Sequence, residues 1–436
     1  MNNKNKYIEI SVFLYAKGFV PAGVITFNDI NTSFTYLNSY IEADLPPINP
    51  SSLNWREHKQ KHFIVSPNNK HRLDRTFWEL LPNDNDWSNL VLLSRFPEYA
   101  HLNYVEKLYF LGSRKVGGLS SQIKDSTEEY SIKSLDWLDD IRRESIEFFH
   151  GNIEKIKYIK AVQPMTSYGG ARPKCMFEDN EGDFWIAKFN LPEDPYDMAI
   201  AEHTALDISR DFGLPTSESK ILKLESGENV FLSKRFDRIN GSRSHSLSLF
   251  SLVSDAETIK KNPNIPGNPA KFIQTLMKRF SDFENVDCLN IVVKMLLDIG
   301  VNNTDNHLRN LRIILNKNNK WELSPIYDVV FNPNNQYHTY NPAGLALNEL
   351  YINNPNLSQA LSNELGIKEH IISDKINKII PVLNNWESYC DKNGMTIEDK
   401  NKIGNAINLG LNRKEYTPKI INKNDNKIIL TNNKQT

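Results

Sequence analysis

The stretch from about position 285 to 330 narrows the possible folds more than any other. A long apolar segment, NVDCLNIVVKMLLDIG, runs directly into the polar loop VNNTDNHLRN, and LRIIL, NKNNK and WELSPIYDVV follow. Apolar residues at three- and four-residue steps make a buried helix, and β-branched runs on either side of an Asn-rich turn make a hairpin. A hairpin brings its two ends together, so Asp328 is expected beside Asn310 and the loop that carries Asp305. Asp and Asn are also ordinary turn residues, and D-x4-N arises by chance in an Asn-rich chain. The hairpin-spaced Asp328 is the independent feature that lifts the three above a turn pattern.

Phosphoryl transfer asks a protein for a carboxylate to receive the acceptor hydroxyl's proton and for oxygen ligands that hold Mg²⁺ against phosphates. Asp305 fits the base, and Asn310 and Asp328 fit the metal ligands. His307, in the same loop, either orders it or caps a turn. Upstream pieces of a nucleotide site occur in the expected order. SYGGARPK, with Ser167, Tyr168, Gly169, Gly170 and Ala171, offers small residues whose backbone N–H groups can approach phosphate, and Lys174 adds a point charge. Lys188 is the polar member of the strand WIAKF. Glu202 lies on the following helix, expected over about Asp194 to Phe212, and is placed to orient that lysine. In SKRFDR, position alone assigns the Lys234 and Phe236 backbones to adenine and Asp237 to ribose. The plain alternatives are a β-turn, a surface lysine and a solvated glutamate.

Organisation along the chain agrees with an α/β (α+β) protein of more than one subdomain, as 436 residues require. KYIEISVFLY, GFVPAGVITF and SFTYL read as a small antiparallel sheet that opens an N-terminal subdomain over 1–151. Short helices and Gly-rich turns follow, closed by a helix that ends near Gly151 and bridges to the next unit. A β-rich, glycine-loop region is expected over 152–240, a helical lobe over 241–420 and a tail over 421–436. PAKFIQTLMKRFS is expected to be helical, as is much of Asn354 to Leu411. The net charge of -1, from 52 Lys and Arg against 53 Asp and Glu, supplies no basic field for nucleic acid. Three separated cysteines argue against a disulfide framework and for a reducing cytoplasm. No apolar run reaches membrane-spanning length.

With these pieces in order, the chain resembles the HipA family of serine/threonine kinases, the toxins of HipBA toxin-antitoxin modules. The resemblance rests on SYGGARPK, AKFN, FLSKRFDR, NTDNHLRN and SPIYDVV, with LGSRKVGGLS matching the N-terminal part. It implies a two-lobed, kinase-like fold of HipA type with Asp305 as base, Asn310 and Asp328 as Mg²⁺ ligands, and Lys188 and Lys174 on the phosphates of ATP. It places Ser167 at the family's autophosphorylated serine, where an added phosphate of about two negative charges would repel ATP phosphates from the loop. It further implies a small DNA-binding antitoxin of HipB type as partner, DNA contact only through that partner, and a protein substrate, an aminoacyl-tRNA synthetase being one family target. Four positions depart from the family pattern: Gly169, the pair Arg172-Pro173, and Asn306. A small-molecule phosphotransferase of aminoglycoside-kinase kind would use the same base and metal ligands, and a degenerate kinase would serve as a binding module.

Overall fold

The computed structural model describes residues 7–28, 31–57, 59–64, 74–112, 116–122, 136–152, 170–252, 285–305, 309–334 and 354–412. The N-terminal unit is an antiparallel five-stranded sheet, β1 (Ile8–Tyr15), β2 (Phe19–Phe27), β3 (Asn31–Tyr36), β4 (Gln60–Ile64) and β5 (Leu119–Ser120), in the order β4-β3-β2-β1-β5. Alternation along β1 sends Ile10, Val12 and Leu14 inward. There they meet Phe34, Phe77, Leu92 and Leu108 in one apolar core, covered by α1 (Asn38–Glu42), α2 (Arg75–Trp78), α3 (Trp87–Arg95) and α4 (Tyr104–Leu111). Sequence periodicity found the first three strands. It missed β4 and the two-residue β5, which are too short to show a pattern.

A second antiparallel sheet positions the site. β6 (Lys174–Glu178), β7 (Phe184–Phe189), β8 (Ser219–Lys223) and β9 (Asn229–Lys234) pair in the order β6-β7-β9-β8. α5 (Asp136–Phe149) covers one face through Leu138 and Ile141, which pack with Trp185, Ala187 and Phe189 of β7. The period of two then turns Ile186 and Lys188 to the opposite face. Register places Lys174 and Phe231 directly beside Lys188, on the same face. The far end of α5 reaches the N-terminal unit, where Phe148 packs on Trp87 and Val91, so this helix bridges two bodies as its sequence position suggests.

α6 (Met198–Asp211) follows β7. Its Asp197 cap accepts from the Ile200 N–H, and its apolar residues join the largest core. Beyond the ribbon β10 (Arg238–Ile239) and β11 (Ser242–Arg243), three strands, β12 (Ser246–Ser248), β13 (Arg312–Leu315) and β14 (Trp321–Leu323), pair in sequence order. The hairpin expected between Asn310 and Asp328 is β13–β14, with Ile313 opposite Leu323. The helices of this lobe are α7 (Leu249–Leu252), α8 (Asn285–Gly300), α9 (Leu357–Leu365), α10 (Glu369–Ile376), α11 (Ile379–Asn384), α12 (Trp386–Lys392) and α13 (Ile397–Leu411). Leu289, Val292, Val293 and Leu296 of α8 are almost wholly buried and share a core with Ile403 and Ile407 of α13. The helix expected at PAKFIQTLMKRFS and the tail lie outside the described residues. No described helix is long and apolar enough to cross a membrane.

The N-terminal unit is seated on the rest of the chain by buried polar contacts. Glu79 ion-pairs with Arg312 at 2.9 Å, and Ser248 and Ser251 also donate to the glutamate. Asn49 Nδ2 reaches Ser251 O at 3.3 Å, and the Gly117 N–H meets Asp237 Oδ2 at 2.8 Å. At Gly117, φ is +76° and a Cβ would stand 3.0 Å from Ser246 N, so only glycine fits both the backbone conformation and the approach.

Candidate active site

Lys188 is the hub. Its Nζ lies 2.7 Å from Glu202 Oε1 and 2.7 Å from Asp328 Oδ1, joining β7, α6 and the end of the β13–β14 hairpin. Burial works to lower the lysine's pKa, but the Asp328 and Glu202 carboxylates outweigh it and hold the pKa above its usual value. Glu202 is pushed up, by burial first and then by Asp328 against the pull of Lys188. Lys174, beside Lys188 across the ladder, goes the other way: burial and the Lys188 charge bring its pKa down to about 8.

Asp305 and Asn310 sit in the loop that leaves α8. The Asp305 N–H donates to Asn303 Oδ1 at 3.2 Å, and Asn310 Nδ2 donates to Asp305 O at 3.2 Å, so the loop is closed on itself by two asparagines. Asn303 is in turn held by Asp298 at 2.9 Å, and Asp298 is paired with the fully buried Lys294 of α8. Asn302, just before this loop, and Asp328, just after the β13–β14 hairpin, adopt left-handed backbone at φ 52° and 57°. Non-glycine residues hold that conformation at a cost, and it collects at functional sites.

Two adjoining cavities share Lys174, Lys188, Glu202 and Asp328. The outer one, about 430 Å³, takes Gly170, Ala171, Asn190, Tyr196, Asp305 and Asn332 into its wall. The inner one is walled by Ile186, Phe236, Asn310 and Tyr327, and by Glu79, Leu81, Asp86 and Val116 of the N-terminal unit. The Phe236 and Tyr327 rings lie 5.7 Å apart.

The sequence-derived residues therefore fall into two groups. Asp305, Asn310, Asp328, Lys188, Glu202, Lys174, Gly170, Ala171, Lys234, Phe236 and Asp237 all line one of these cavities. Ser167, Tyr168, Gly169 and His307 lie outside the described residues.

Three expectations need correction. Asp237 lines the inner cavity, but it is buried and its carboxylate is engaged by Arg235, Arg238 and the Gly117 N–H, so in this structure it anchors the segment instead of offering its oxygens to a ribose. Although burial opposes ionisation, those guanidiniums hold its carboxyl well below the usual range. The Lys234 N–H is taken by Glu218 O at 2.8 Å and its side chain by Asp183, which removes that donor from adenine. Gly170, expected to give its N–H to phosphate, gives it to Asp86 Oδ1 at 3.0 Å. Sequence reasoning had no signal for Asp86, Glu79, Leu81 or Val116, because their place in the wall depends on how two units dock. Asn303 stood in a motif already singled out, and its short polar side chain two residues before Asp305 was the available clue.

The donor set suits Mg·ATP. Asp328 and Asn310 offer the hard oxygen ligands that Mg²⁺ takes, and the amines of Lys174 and Lys188 line the same cavity. Asn310 uses its Nδ2 on Asp305 O, which leaves the amide oxygen as its ligand atom.

The fold is a kinase-like mixture of helix and sheet. It is similar to the HipA chain of a Shewanella oneidensis MR-1 structure described as a toxin-antitoxin system of HipA, HipB and operator DNA, with a TM-score of 0.58 and 13% identity, covering 92% of this chain and 96% of that one. The Helicobacter pylori proinflammatory kinase CtkA aligns over 57% of this chain and 94% of its own, at 15% identity and a TM-score of 0.37. No curated protein sequence matches the chain. The model of the HipA-like C-terminal domain matches residues 166–386, half of the chain, and the chain belongs to the HipA family.

Proposed function

We propose that this chain is a Mg·ATP-dependent serine/threonine-protein kinase acting as the toxin of a toxin-antitoxin pair. The observation that carries the reading is Lys188 held at 2.7 Å by both Glu202 and Asp328, on the wall of a cavity that Asp305 also lines. In this reading Glu202 fixes the Lys188 ammonium, which with Lys174 receives the phosphates of ATP. Phe236, Tyr327, Leu81 and Val116 give the base an apolar, partly aromatic wall. Asn310 and Asp328 would hold Mg²⁺, which supplies neutralisation of charge on the transferred group. Asp305 accepts the proton of the attacking hydroxyl, and its loop is stiffened by Asn303 and Asn310.

The partner we propose is a HipB-type antitoxin, which would carry the DNA contact that a net charge of -1 does not support. Autophosphorylation at Ser167 is part of the proposal on sequence grounds. The described cysteines, all buried and unpaired, agree with a reducing compartment.

The test is transfer of label from γ-labelled ATP, with Mg²⁺, to the protein itself and to proteins of a cell extract. Wild type is expected to transfer label, chelator to abolish transfer, and Asp305→Ala to lower it by about 10²- to 10⁴-fold, the range for losing a general base. Absence of transfer by wild type, or full transfer by Asp305→Ala, overturns the reading.

A further inference from the structure

The base of the glycine loop is gripped by two consecutive residues of the N-terminal unit. Asp86 accepts the Gly170 N–H at 3.0 Å through Oδ1 and the Asn83 N–H at 2.7 Å through Oδ2. The Trp87 N–H donates to Gly170 O at 3.1 Å, and its indole Nε1 donates to Lys174 O at 2.9 Å. Both ends of the Gly170–Lys174 segment are thus fastened to one turn, 84 and 87 residues earlier in the chain. The indole ring is buried against Phe148 of α5, which fixes the donor's position.

Asp86 is placed as the N-cap of α3, yet its carboxylate makes no bond to that helix. An aspartate at an N-cap ordinarily accepts from its own helix. Here both oxygens are given to Gly170 and Asn83. Only 6% of Asp86 is exposed, so the groups it contacts are fixed partners rather than passing ones.

The segment gripped in this way carries the site. Gly170, at φ +100°, lies against the Lys174 amine, since a Cβ on it would stand 3.0 Å from Nζ. Lys174 stands opposite Lys188 in the ladder. A shift of the Gly170 end would therefore move one phosphate-binding amine relative to the other.

Resting on the kinase reading, we infer that Asp86 and Trp87 are positioning residues for nucleotide, by which the N-terminal unit sets the loop that receives the phosphates. They touch loop backbone and no reacting atom. The N-terminal unit is then part of the nucleotide site rather than an appendage to it, in keeping with its share of the inner cavity wall.

Two substitutions separate this role from a structural one. Asp86→Ser supplies a hydroxyl suited to capping α3, so the helix keeps an N-cap while the shorter side chain cannot reach Gly170. Trp87→Phe keeps the ring on Phe148 and removes the donor to Lys174 O. Full-length protein is used, with ATP affinity by calorimetry, amide exchange of the segment from Gly170 to Met176, and thermal unfolding as control. Both variants are expected to keep the wild-type melting point within a few degrees, exchange faster in that segment, and bind ATP about tenfold more weakly, the scale of one or two lost hydrogen bonds. Unchanged ATP affinity in both variants overturns the inference. If wild type itself binds no ATP, the nucleotide reading fails instead, and unchanged exchange in the two variants then overturns the grip on its own.

Discussion

Lys174 illustrates how one residue's surroundings produce an observable consequence. Burial first, and the neighbouring Lys188 ammonium second, bring its pKa from 10.5 to about 8 against the pull of Asp328, Glu202 and Asp86. In the unfolded chain the amine stays protonated to about 10.5, so between pH 8 and 10.5 the unfolded state binds more protons than the native one. The group therefore weakens the fold below pH 8, and that penalty disappears as pH rises to 10.5. Phosphate attraction has the opposite sign, because the charge that draws it is lost as pH passes 8. Over pH 7 to 9 the ATP dissociation constant is expected to rise several-fold, by about as much as one partly buried ion pair contributes. Lys174→Met should flatten that rise and remove the matching gain in stability. Calorimetric titrations across pH, paired with denaturant melts, read both. An ATP affinity that is flat from pH 7 to 9 in wild type contradicts the assignment.

At the scale of elements, α8 leads into the loop that holds Asp305, the proposed base. Lys294 is fully buried and paired with Asp298 one turn on; Asp298 holds Asn303, and Asn303 accepts the Asp305 N–H. A buried ammonium needs its partner, so the pair fixes the helix end as well as neutralising it. Asn303→Ala removes the acceptor of Asp305 without opening the Lys294–Asp298 pair. The expected outcome is a kcat about tenfold lower, with KM for ATP within about twofold, the pattern for loss of orientation at the base rather than of nucleotide binding. Steady-state kinetics decide it, and an equal change in KM would place Asn303 in binding.

Much of this element was legible beforehand. The apolar periodicity of NVDCLNIVVKMLLDIG, the polar loop and the hairpin to Asp328 are local patterns, and local patterns survive in a single sequence. The end state of Asp237 was not legible. Its role was assigned by position in SKRFDR, whereas its contacts come from Arg235, Arg238 and a glycine 120 residues earlier.

At the scale of the whole molecule, the inner cavity lies at a seam between units, and the seam is closed by charge. Glu79 and Arg312, 233 residues apart, form a buried pair whose other bonds go to Ser246, Ser248 and Ser251. Both residues also line the inner cavity. The pairing was invisible in the sequence, because RTFWELLP shows a short helix and not the surface it will meet. Removing one partner of a buried pair strands the other charge, at about 3 to 5 kcal/mol, whereas replacing both by apolar groups of similar size is often nearly neutral. Glu79→Ala or Arg312→Ala is therefore expected to destabilise the protein strongly, while Glu79→Met with Arg312→Met should recover much of the loss. A denaturant-melt double-mutant cycle measures the coupling. If the seam only stabilises, the Met-Met protein regains wild-type ATP affinity together with its stability. If the pair also shapes the inner wall, stability returns and ATP affinity does not. The lining places Glu79 and Arg312 in the wall itself, so the second outcome is the one expected.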